Sequence, residues 1–248
     1  MGKIQIGASI FNSTDLEQEF YLYRHYGFDY IELCLKDTMK PELNTLNMLR
    51  QFNDIVPIKV GHLTDIVIDS GDINNKIEYI KMMGALNTVK TMVIHWYSDH
   101  TDAIQFFDKI EALNTLNKVA ADNGMVLTIE NTTENTWAFE EVFKYIPGIS
   151  MTLDVGHANL YGNHDKAVEF ISAFATRIQN VHLHDNFGGD KPMWDLHLPI
   201  GVGNINFGDT INALKHMNYS STITLEIYCK DKSYYDISRQ KIRALINS

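Results

Sequence analysis

Three observations predict an α/β chain folded as a single (β/α)8 barrel, with parallel strands inside and helices outside. Eight apolar runs of strand length recur along the 248 residues. Segments of helical period separate them. Strict alternation of the two implies parallel strands joined by right-handed crossovers, and eight such units in about 250 residues is the usual size of a closed barrel of this kind. An open doubly wound sheet is the other arrangement that alternation allows.

The predicted strands are KIQIGAS (3–9), FDYIELC (28–34), VPIKVGH (56–62), TMVIHW (91–96), MVLTIEN (125–131), ISMTLDV (149–155), IQNVHLHD (178–185) and TITLEIY (222–228). The clearest helix between them carries Ile104, Phe107, Ile110, Leu113 and Leu116 and stops before Gly124, a residue suited to the position just past a helix end. Helices are also expected over 15–26, over 41–53 with Pro41 near its start, and over 72–84, 137–145, 165–175, 209–218 and 235–246. No Pro-, Ser- or Gly-rich linker breaks the pattern, so residues 1–248 are expected to form one domain. The one long irregular stretch, NFGGDKPMWDLHLPIGVGNIN (186–206), follows the seventh strand. Loops of that length inside a domain are usually functional.

Composition narrows the function classes. With 45% hydrophobic and 21% charged residues the chain is of ordinary globular type. Its 31 acidic and 21 basic residues leave a net charge of −10, which offers no general attraction for nucleic acid or anionic membrane. Cys34 and Cys229 both stand in apolar runs, which argues against a disulfide framework or a thiolate metal site and fits a reducing, cytoplasmic setting. The start, MGKIQIGASI, lacks a leader pattern and has Ile6 where myristoylation needs Ser or Thr. No apolar run approaches bilayer-spanning length, so no membrane partner is expected.

In such a barrel chemistry sits at the C-terminal ends of the strands. Ionisable residues stand there on six consecutive strands: His62, His95, Glu130, Asp154, His182 or His184, and Glu226. His157 follows in LDVGHAN, and the long loop supplies Asp195 and His197. In VHLHDN (181–186) alternation puts His182 and His184 on one face and Val181 and Leu183 on the other. One such residue has a plain explanation as a cap or a solvated side chain. Six apolar strands each ending in His, Asp or Glu do not, because charge at the mouth of a buried barrel needs a partner or an ion. Imidazole and carboxylate without thiolate suit a divalent metal, zinc, manganese, cobalt or ferrous iron, with room for one to three ions.

With those residues in view, the chain resembles the xylose isomerase-like TIM barrels, a superfamily of sugar isomerases, sugar and sugar-phosphate epimerases and the endonuclease IV group of abasic-site nucleases. The most specific segments are GFDYIEL (27–33), LTIEN (127–131), LDVGHAN (153–159), VHLHDN (181–186), DLHLPIGVGNINF (195–207) and ITLEIY (223–228). The resemblance implies that Glu130, Asp154, His182 and Glu226 are the shared metal quartet. It further implies that His62, His95, His157, Asp195 and His197 match the rest of the nucleases' three-zinc cluster. His184 and Asp185 would line the pocket or orient the ligand His182.

Two functions follow from the resemblance. The first is a sugar or sugar-phosphate isomerase or epimerase acting on a small carbohydrate. Its metal would stabilise an enediolate, Glu130 and Glu226 would move the proton, and His157 and His184 would bind hydroxyls or shuttle protons. Glu32, Trp96 and Trp194 would contact substrate. Arg177, Lys191 and Lys230 are the candidate phosphate contacts. The alternative is a zinc-dependent abasic-site nuclease or other phosphoesterase, with nucleic acid as partner. Against it, HLTDIVI has Asp65 and Ile66 where the nucleases carry an aromatic and a leucine, and Trp96 and Tyr97 replace their Pro-Gly. An acid at the first of these places repels phosphate.

Overall fold

Every predicted strand forms, and the eight close on themselves. The computed structural model describes residues 3–11, 13, 15–35, 39–63, 73–96, 103–162 and 166–248. The strands are β1 (Gln5–Ile10), β2 (Tyr30–Leu35), β3 (Ile58–Leu63), β4 (Thr91–His95), β5 (Val126–Glu130), β6 (Ser150–Asp154), β7 (Ile178–Leu183) and β8 (Thr222–Leu225). Each is parallel to its neighbours, and β8 returns to pair with β1 through Gln5 opposite Thr222 and Ala8 opposite Leu225. Closure excludes the open-sheet alternative. Around the strands run α1 (Leu16–Tyr26), α2 (Leu43–Ile55), α3 (Ile73–Gly84), α4 (Ala103–Asp122), α5 (Thr136–Tyr145), α6 (Val155–Ala158), α7 (Ala167–Phe174), α8 (Phe207–His216) and α9 (Ser233–Asn247). The short α6, inside LDVGHAN, has no counterpart among the predicted helices; Asp154 caps it by accepting from the His157 amide at 2.7 Å. Among the described residues no helix is long and apolar enough to cross a membrane.

The two faces of each strand do different work. Outward residues such as Val181 and Leu183 on β7 join the apolar core beneath the helices. Inward residues fill the barrel: Tyr30, Val60 and Val93 make a separate apolar plug, and Thr128 and Thr152 pair at 2.7 Å. Two residues further along, the same inward faces carry Glu32, His62, His95, Glu130, Asp154, His182 and Glu226. The active-site layer is thus stacked directly on a packed floor.

The stretch 186–206 is more ordered than its composition predicts. It holds a 3-10 turn at Pro192–Trp194 and an antiparallel bridge from Asp185 to Leu198. The Asp185 carboxylate organises it, accepting from the amides of Gly201 (2.8 Å), Gly203 (2.9 Å), Asn186 (3.0 Å) and Ile205 (3.3 Å). A Cβ on Gly203 would lie 2.1 Å from the Asn186 carbonyl oxygen, so only glycine lets the chain pass so near.

Candidate metal centre and pocket

At the strand ends the ionisable residues gather into overlapping groups, with one donor atom of each residue within 4.8 Å of the others in its group. An inner group joins Glu130, Asp154, His182 and Glu226; a second joins His157, His184, Asp195 and His197; a third joins His62, His95 and Glu130. Glu32, His62, His182 and Glu226 form a fourth, below the others.

Glu32 explains how the deepest rings are held. It is fully buried, and its Oε2 accepts from Thr224 (2.6 Å), His182 Nε2 (3.1 Å) and Asn180 (3.2 Å). Its Oε1 lies 3.1 Å from His62 Nδ1. Glu32 therefore takes one nitrogen of each ring. The other nitrogens face Glu130 Oε2 at 3.3 Å, His182 through Nδ1 and His62 through Nε2. A carboxylate behind a ligating histidine sets its tautomer and orientation.

Electrostatics follows the same map. Burial alone would raise the Glu130 and Asp154 carboxyls, but the imidazoles beside them win and hold both below the usual range: His182, His95 and His62 for Glu130, His157 and His184 for Asp154. Burial disfavours charge on His62, His157 and His182, yet the carboxylates facing them raise all three well above 6.5. His95 differs: burial outweighs Glu130 and lowers it to about 4, so it is neutral at pH 7.

The donors fit a metal. Glu130 Oε1 and Oε2, Asp154 Oδ2, His182 Nδ1, both ring nitrogens of His184 and Asp195 Oδ1 are buried without a well-formed hydrogen bond. Such orphaned groups are costly. A divalent cation between them would satisfy several at once.

A cavity of about 520 Å³ opens above the inner group. Glu226, His62 and His95 reach its floor; His157, Asp195 and His197 form one wall; Phe11, Tyr161 and Tyr228 form an aromatic side. Tyr228 stacks on His197 at 4.0 Å and 9°, and Phe11 on Tyr228 at 5.0 Å and 13°. Thr132 and Thr133 complete the polar lining, and Glu134 pins their loop by accepting from both amides at 2.8 and 3.0 Å.

Several expected contacts fall elsewhere. Trp96 is fully buried against Phe106 in the outer core, so it is a packing residue. Trp194 is exposed and packs its ring over Gly189, outside the cavity lining. Glu32 is sealed beneath the rings and cannot reach a substrate. His184 is also fully buried, behind His197, which excludes it from binding hydroxyls in the cavity. Asp185 orders the loop rather than lining the pocket. Arg177 lies at the start of β7, the wrong end of the barrel, with its guanidinium on the Pro147 and Ile149 carbonyls. Lys191 and Lys230 are exposed and outside the cavity lining. Asp65, Ile66 and Tyr97 lie outside the described residues. Phe11, Tyr161, Tyr228, Thr132 and Thr133 were absent from the expected site. For Tyr228 there was a signal: it stands two residues past Glu226, on the same face.

Residues 71–247 match the family described as xylose isomerase-like TIM barrel. The chain belongs to that family. An uncharacterized protein of Methanocaldococcus jannaschii is 31% identical, the match covering 97% of this chain and 92% of that protein. Among solved structures, a D-tagatose 3-epimerase-like protein superposes on this xylose isomerase-like barrel with a TM-score of 0.81 at 22% identity, covering 98% of this chain and 97% of the other. D-allulose 3-epimerase from Methylomonas sp. superposes at 0.77 with 16% identity, covering 100% and 98%. The IOLI protein with a binding zinc atom does so at 0.74 with 18% identity, covering 98% and 96%. At these identities the shared property is the fold.

Proposed function

We propose that this xylose isomerase-like protein interconverts epimers or isomers of an unphosphorylated sugar at a divalent-cation centre held by Glu130, Asp154, His182 and Glu226. The observation that carries the reading is the placement of this carboxylate-rich group at the floor of a cavity whose described lining contains no Lys or Arg. The segments outside the described residues add one cation, Lys36, against Asp37, Asp65, Asp69, Asp72, Asp99, Asp102 and Asp165. That charge balance disfavours a phosphate and suits hydroxyl groups. The epimerase neighbours agree: one was solved with D-allulose and another with D-tagatose.

When bound, the cation supplies the positive charge that stabilises an oxyanion developing next to the carbon that loses its proton. Glu226 is the carboxylate that opens to the cavity, and it takes the proton. Glu130 stands across the inner group on β5, buried beneath His62 and His95, and returns a proton from the other side. His95, neutral at pH 7, offers a hydroxyl contact. Phe11 and Tyr228 cover the apolar face of the sugar and exclude water.

The test is a panel of free ketoses and aldoses in deuterated water with manganese, cobalt or zinc. Interconversion with deuterium entering one carbon is the expected result. Phosphodiester hydrolysis is the second reading, favoured by the third group, His62, His95 and Glu130, which shares a carboxylate with the inner one. Incision of abasic-site DNA, with no sugar turned over, would replace the first reading with the second.

A further inference from the structure

We propose that His157, His184, Asp195 and His197 form a closed, four-donor site for a zinc-class ion, structural in role and distinct from the carboxylate-rich centre. The sequence resemblance covers three of these residues. The fourth donor, His184, and the closure it produces come from the structure. The inference concerns metal binding, so it stands or falls independently of the sugar reading.

Two of the rings are aimed from behind. His157 Nδ1 donates to the Asn131 carbonyl at 2.9 Å, and His197 Nδ1 to the Glu226 carbonyl at 2.8 Å. Their Nε2 atoms then face one oxygen, Asp195 Oδ2, at 3.2 and 3.3 Å. With Nδ1 carrying the proton in each neutral ring, Nε2 presents a lone pair, and lone pairs facing a carboxylate repel unless a cation lies between them. His197 is held there at some cost: its φ is +44°, a left-handed backbone that few residues other than glycine adopt.

His184 supplies the fourth donor. It is fully buried, and neither ring nitrogen makes a well-formed hydrogen bond. Its Nε2 lies 3.7 Å from Asp195 Oδ1 and 3.2 Å from Asp154 Oδ1. The ring stacks on His197 at 3.8 Å and 17° and meets His157 edge-on at 5.4 Å. Gly156 makes the space: a Cβ there would fall 2.0–2.4 Å from three atoms of the His184 ring. Three imidazoles and one carboxylate suit zinc or cobalt, and four protein donors leave no open position. Such an ion ties α6 and the end of β7 to the loop 186–206 and fixes the cavity wall without touching substrate.

The experiment strips the full-length protein with a chelator and reloads it with cobalt or zinc, reading visible absorption and competition against a chromophoric chelator. Two classes of ion are expected in the wild type, the tighter one giving an intense cobalt band that azide does not alter. H184A should weaken the tight class by at least about 100-fold and make its band respond to azide, because a position opens. E226Q should remove the weaker class and leave the tight one. H184N, close in size, covers the case in which H184A fails to fold. A wild-type band that shifts with azide would overturn the proposal. So would a single class of ion, or wild-type tight-class affinity in the folded His184 variants.

Discussion

The inner and outer donor groups lie side by side at one barrel mouth, yet they are held by different means. Glu130, Asp154 and His182 stand on strands and Glu226 directly follows one, so the hydrogen-bonded ladder sets their positions. His157, His184, Asp195 and His197 all lie beyond strand ends, where no ladder reaches. Their geometry comes from carbonyls behind two rings, from stacking, and from the loop drawn around Asp185. The inner group is rich in carboxylate and open to the cavity through Glu226; the outer is rich in imidazole and sealed by His184. Rigid scaffolding therefore serves the reactive centre, while the outer group needs its own buried network, and a change in that network should reach only one of the two.

The sharpest test of that division is Glu226→Gln, which should lower sugar interconversion by about a thousandfold or more while the outer ion is retained. Activity within tenfold of wild type would remove Glu226 from the chemistry. Next in size is Asp185→Asn, which replaces a carboxylate accepting four amides and should cost about 3 kcal/mol in chemical unfolding. Outer-ion affinity should fall with it while the inner ion stays; equal loss at both would erase the distinction drawn above. Thr224→Val removes the 2.6 Å hydrogen bond to Glu32. It should weaken the inner ion about tenfold and leave the outer one unchanged, measured by chelator competition.

A smaller effect concerns pH. In the metal-free protein the raised imidazoles His62, His157 and His182 contribute stability below about 6.5 and lose it as pH rises through their folded values. The lowered carboxyls Glu130 and Asp154 contribute above about 4 and lose it as pH falls through theirs. Melting temperature without metal should therefore peak in mild acid and drop by a few degrees toward pH 9. Bound cation displaces those protons, so the loaded protein should hold its melting temperature at high pH. Least of all, Trp194→Ala should change activity by less than about twofold, since the ring lies outside the cavity; a larger fall in kcat/KM would return Trp194 to the site.

Period-two alternation and strand length are local properties, so the eight strands, their order and the inward face of each could be read directly from the chain. That was enough to bring Glu130, Asp154, His182 and Glu226 to one end of a barrel before any coordinates. The same alternation misjudged Trp96, because the inward face passes from His95 to the position after next, and Trp96 turns out toward α4. It was also silent on Glu32 and His184, whose local patterns match those of their exposed-end neighbours. Sequence by itself determined which residues share a face. Tertiary structure alone decided depth, that Glu32 is a floor, His184 a back wall and Glu226 an open edge. Burial depends on what packs above a residue from distant segments, here Thr224, Gly156 and the loop around Asp185, and no periodicity within one strand encodes that.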